Sequence, residues 1–158
     1  MREMERTLYK SVIRIFEDLA FMLPSEELDD RQSKASERAI AVVGFHGPFS
    51  GKLVVRVCGD LLPILAANML GEEHPPPVEK QLDALREIAN VICGNVLPAI
   101  AGAKEIFYLD TPVLIDPRKR SNFNPQGDPV VEVKIGMEGG RAEIALYKDE
   151  SDRGGKRP

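Results

Sequence analysis

Over residues 3–23, Leu8, Val12, Ile15, Leu19 and Met22 recur at threes and fours, with Lys10, Arg14 and Glu17 on the other side. That spacing predicts an amphipathic helix, ended by Pro24. The acidic stretch 25–36 reads as a polar connector. Residues 38–46 and 52–58 are rich in Ala, Val and Ile and flank Gly47-Pro48-Phe49-Ser50-Gly51, a turn-rich segment of hairpin length. A second helix is expected from Asp60, whose side chain can cap it, with Pro63 tolerated in the first turn and Gly71 as the stop. The three prolines 75–77 forbid helix, and a third, longer helix follows from Val78. Its end is marked by Pro98 and Gly102; Pro98 removes one of its hydrogen bonds, so a kink or stop is expected near there.

The last third has the period of strands. Residues 106–109 and 113–115 form one strand candidate, interrupted by Thr111-Pro112, and residues 129–137 and 141–148 form a hairpin around Glu138-Gly139-Gly140. Val131, Val133 and Ile135 alternate with Glu132, Lys134 and Gly136, while Ala142, Ile144 and Leu146 alternate with Glu143 and Ala145. One sheet face is therefore covered and the other at least partly wet. The order αββααβββ predicts an α+β domain, with helices packed on one face of an antiparallel β-sheet. A single domain is expected over residues 1–148, and a polar, Gly-rich, disordered tail over 149–158.

Within the third helix, Asp83, Glu87 and Asn90 stand at i, i+4 and i+7. At about 100° per residue they fall within roughly 60° of one another, opposite a face centred on Val78, Leu82, Leu85, Ile88, Ala89 and Ile92. A row of charges is most often plain solvation. Two members resist that account. Asn90 costs several tenths of a kcal/mol against Ala, and Gly94, on the same stripe at i+11, about 1 kcal/mol. An exposed stripe that accepts two poor helix formers suggests docking, with Gly94 leaving room for close approach.

Composition narrows the classes. The chain has 158 residues, 43% hydrophobic and 29% charged, with a net charge of −4 spread along its length. That suits one soluble domain and lacks the basic stripe of a nucleic-acid binder. The cluster Arg118-Lys119-Arg120 reads as a solvated loop. Cys58 and Cys93 sit in apolar runs without ligand spacing, as buried thiols in a reducing compartment do. His46 and His74 have no neighbouring partner in the sequence, so no metal site is expected. The charged N-terminus is not followed by a signal segment, and the stretch 88–103 is interrupted and too short to span a membrane. A cytoplasmic protein is expected, without membrane or nucleic-acid partners.

The run Asp83-xxx-Glu87-xx-Asn90, followed after a matching interval by Pro112, resembles the signature of the CheC/CheX/FliY chemotaxis phosphatases. The segment Ile88-Ala89-Asn90-Val91-Ile92-Cys93-Gly94-Asn95 is similar to that family's helix beyond its Asn, and the order of elements fits along the chain. Among its members the chain looks most like CheX. Glu17-Asp18-Leu19-Ala20 on the first helix has Ala20 where a second motif would carry Asn, so one site is expected. The resemblance implies a protein substrate, a CheY-like receiver phosphorylated on aspartate, over which the helix docks. Asn90 would orient the attacking water and Glu87 would pair with a receiver lysine, with Asp83 at the edge and Pro112 shaping the strand near the motif. The Mg²⁺ would belong to the receiver, so no cofactor is expected on this chain. A homodimer is implied as well. The alternative is a non-catalytic receiver-binding or assembly module of the same fold.

Overall fold

The computed structural model describes residues 2–122, 125 and 127–149. Strands β1 (Glu37–His46) and β2 (Gly51–Gly59) form the expected hairpin, with Val43 opposite Leu53. Two further short strands, β3 (Tyr108–Leu109) and β4 (Val113–Ile115), both line the other edge of β1. The hairpin β5 (Val131–Met137) and β6 (Gly140–Lys148) completes the sheet, β6 pairing with β2. All pairings are antiparallel, in the order β3/β4–β1–β2–β6–β5. The expected α+β fold is the one observed.

Helices α1 (Glu3–Ala20), α3 (Leu61–Leu70) and α4 (Val78–Ala101) pack on one face, over Ala41, Val43, Phe45, Val55, Val57, Ile135 and Ile144. Helix α4 buries Leu85, Ile88, Ile92 and Leu97 completely. At about 1.5–3 kcal/mol per buried large aliphatic side chain, these contacts fix which way α4 faces. The side opposite them is turned outward. By length and apolarity α4 would pass for a membrane span, a test that a core helix also passes.

The other sheet face is drier than its alternation suggests. Ile40, Val42 and Val54 are buried there with Ile115 and Tyr147 against them. The segment 25–36 is not a plain connector: it holds a short helix, α2 (Asp30–Lys34), closed by a reciprocal capping box between Asp29 and Gln32. Arg141, nearly buried, fastens the end of α2 to the sheet. Its Nη1 donates to the carbonyls of Gln32 and Ser33, its Nη2 to Ala35 O and Cys58 Sγ, and its Nε to Glu143.

Several predicted boundaries move. Helix α1 stops at Ala20 rather than at Pro24, because Phe21 turns left-handed at φ 53° and Asn68 Nδ2 donates to Ala20 O at 2.9 Å. Asp60 precedes α3 without a side-chain capping bond. Helix α4 does end at Gly102, as expected, whose N–H closes on Pro98 O, while Pro98 itself sits inside the helix without stopping it. Val78 is exposed, not on the buried face. Arg118 and Lys119 lie in a 3₁₀ segment (Pro117–Asn122), where Arg118 pairs with Asp116 and holds that carboxyl below its usual range. Asp149 N–H still bonds Ser50 O, and the rest of the expected tail lies outside the described residues.

Candidate functional site

The outward face of α4 and the β3–β4 connection form the two walls of an open groove. Asp83, Arg86, Glu87 and Asn90 line it from the helix, and residues 109–112 from the sheet edge, around a volume of about 440 Å³. The groove thus brings Pro112, distant in sequence, beside the helical row. Gly94 is also on this face, further along the helix near Leu109.

The sheet-side wall has a definite origin. Leu109 pairs with Phe45 and Val113 with Val42, so three residues, Asp110, Thr111 and Pro112, face two of β1. One strand cannot run through: Pro112 has no N–H to donate, and the extra residue bulges away from the ladder. Asp110 N–H bonds Gly44 O at 2.9 Å, and a Cβ at residue 44 would come within 2.6 Å of Asp110 Oδ2. Gly44 is what lets the Asp110 carboxylate lie across β1. His46 Nε2 meets that carboxylate at 3.2 Å, so His46 is not partnerless, as its isolation in the sequence implied. Phe45, Phe49 and Phe107 interlock edge to face, with centroids 5.2–5.9 Å apart, and pin the chain as it enters β3.

On the helix wall the polar groups differ in their commitments. Asp83 accepts from Arg86 Nη1 at 2.8 Å, a pair that the i, i+3 spacing of two opposite charges makes legible once the helix is known. Asn95 donates back to Val91 O at 2.7 Å. Among the described residues Glu87 and Asn90 have no side-chain hydrogen bond or ion pair, and both are exposed. A carboxylate and an amide, one helical turn apart and without partners, are free to bind something that docks.

Gly94 has no packing reason to be glycine. A Cβ there would meet only Leu109 Cδ1, at 3.7 Å, an ordinary contact. On α1 the equivalent face is different: Ala20 is fully buried and Asp18 pairs with Arg14. That helix presents no outward amide. The described residues contain no cluster of three His, Cys, Asp or Glu able to hold a metal ion. Both thiols are buried, and burial pushes Cys58 up to about 11 and Cys93 up to about 12.

A family model, chemotaxis phosphatase CheX, matches residues 39–135. The match takes in the hairpin β1–β2, both walls of the groove and most of β5. No curated protein matches the chain in sequence. Among solved structures, CheX from Desulfovibrio desulfuricans superposes with a TM-score of 0.70 at 17% identity, over 94% of this chain and 100% of the other. CheX from Vibrio vulnificus gives 0.66 at 18% identity, over 94% and 97%. A complex of CheX with CheY, BeF₃ and Mg²⁺ from Borrelia burgdorferi gives 0.63 at 16% identity, over 92% and 97%.

Proposed function

Because the chain belongs to the chemotaxis phosphatase CheX family, we propose that it hydrolyses the aspartyl phosphate of a CheY-like receiver domain, docking on that receiver through the groove beside α4. The observation that carries this reading is the pair Glu87 and Asn90, exposed and without a partner among the described residues, on one helix face opposite the Pro112 bulge. The Borrelia CheX, similar in fold, is known in a complex with CheY, which supports a receiver as the partner.

In this mechanism Asn90 reaches beside the acyl phosphate, and its amide accepts from and donates to the attacking water, holding it for in-line displacement. The acyl phosphate is already a labile bond, so catalysis here is mostly positioning, and no general base is required of this chain. Glu87, one turn earlier, pairs with a receiver lysine and fixes the docking angle. Asp83 stands at the edge of the contact. Gly94 lets the receiver backbone approach α4, and Pro112 keeps the sheet-side wall bulged and clear. The Mg²⁺ that would offset part of the phosphoryl charge would be held by the receiver, not by this chain. This chain's residues supply the water, the anchor and the shape.

The reading extends to a cytoplasmic homodimer. Strand β5 is an outer strand of the sheet, where Ser25 N–H bonds the carbonyl of Gly136 and Gln32 Nε2 that of Met137, both at one end. The remainder can pair with a second copy. Sedimentation giving a monomer mass at micromolar concentration would remove the dimer without touching the phosphatase.

The test of the activity is the decay of a phosphorylated receiver from the same organism, with and without the protein. Acceleration by wild type and its loss in Asn90→Ala support the phosphatase. Binding without acceleration would instead favour a receiver-binding module of the same fold.

A further inference from the structure

We infer that Arg86 is the residue through which the groove attracts the anionic, phosphoryl-bearing pocket of its receiver, and that Asp83 acts only by holding Arg86; this rests on the phosphatase reading above. The groove is a poor field for an anion. Three carboxylates line it, Asp83, Glu87 and Asp110, and among the described residues the one cationic side chain in its walls is Arg86. A phosphoryl group adds further negative charge to the complex, so docking needs an offset at this place.

Each of the three carboxylates has a partner or is assigned one. Asp110 meets His46 at 3.2 Å, and Glu87 is assigned to the receiver lysine. Asp83 is held by Arg86 at 2.8 Å, through Nη1. No other bond of the guanidinium is seen among the described residues, so Arg86, which lines the groove, keeps donors on Nε and Nη2 to spare. The pair is well exposed, 44% for Arg86 and 65% for Asp83. Exposed pairs of this kind are weak, so Arg86 can share or leave Asp83 at little cost. Asp83 is thus a positioning residue and Arg86 a binding residue.

The experiment measures affinity for a purified CheY-like receiver loaded with beryllofluoride and Mg²⁺, together with KM and kcat for the phosphorylated form. Arg86→Ala is expected to raise Kd and KM about tenfold and to flatten their salt dependence, with kcat within about twofold. Arg86→Lys should recover most of the loss. Asp83→Asn should change nothing further in the Arg86→Ala background. Wild-type affinity in Arg86→Ala, or a further loss from Asp83→Asn in that background, overturns the inference while leaving the phosphatase standing. If the wild-type protein neither binds nor dephosphorylates the receiver, the phosphatase reading falls, and this inference falls with it.

Discussion

Replacing Gly94 with alanine should make the protein more stable and less able to dock. The residue lies well inside α4, a 24-residue helix, where glycine costs about 1 kcal/mol against alanine through backbone entropy alone. Nothing in the fold demands that cost. The added Cβ meets Leu109 Cδ1 at 3.7 Å without clashing, and among the described residues no backbone from outside its own stretch of helix lies within 4 Å of it. The full propensity gain of about 1 kcal/mol should therefore appear, a rise in Tm of roughly 2–4 °C for a domain of this size. If close approach of a receiver is what keeps glycine there, Gly94→Ala should also weaken receiver binding, and Gly94→Leu should weaken it more. Thermal unfolding followed by circular dichroism and receiver titration on the same samples separate the two effects. Lower stability in Gly94→Ala would refute the packing argument. Higher stability with unchanged binding, in the leucine variant too, would refute the docking role.

Arg141→Met should destabilise the fold by about 3 kcal/mol or more in urea unfolding, because it strands the Glu143 carboxylate, 12% exposed, and the carbonyls that end α2. A loss below about 1 kcal/mol would show that α2 is held by other contacts. Both thiols should resist iodoacetamide at pH 8 in the native protein and react on unfolding, being buried and protonated. Their folded values lie above the unfolded value of 9.0, so the native state keeps protons that the unfolded chain releases above that pH. Stability should then fall as pH rises from about 9 towards 11, by about 1.4 kcal/mol per unit for each thiol, and Cys93→Ala should flatten that slope.

Elements set by a periodic run of neighbouring side chains are legible in the sequence, and those decided by two distant segments together are not. The period-2 alternation of residues 131–137 and the 3.6-residue repeat of α4 report burial directly, and both elements are where that reasoning put them. The end of α1 is different: Phe21 is left-handed with α3's Asn68 bonded to the last carbonyl, a contact 48 residues away. The capping box Asp29-x-x-Gln32 was a local signal for α2, hidden by the acidic character of the segment. The charged residues of the second sheet face concealed an apolar cluster, since Ile40, Val42 and Val54 belong to strands whose both sides are apolar. For the site, helical spacing aligned Asp83, Glu87 and Asn90. Only the β1–β3–β4 register brings Asp110 and Pro112 opposite them, and the tether of Arg86 to Asp83 lies in an i, i+3 charge pair that the acidic stripe masks.

The central claim is a division of labour between two neighbouring side chains, Asn90 for the water and Glu87 for the anchor. It is tested most directly by measuring, for Asn90→Ala and Glu87→Ala, both affinity for a beryllofluoride-loaded receiver and the rate of phosphate loss from the phosphorylated one. Asn90→Ala is expected to bind within about threefold of wild type while accelerated hydrolysis falls about a hundredfold, the cost of losing positioning. Glu87→Ala is expected to lose binding first, with turnover partly restored at high receiver concentration. Full phosphatase activity in Asn90→Ala would contradict the account.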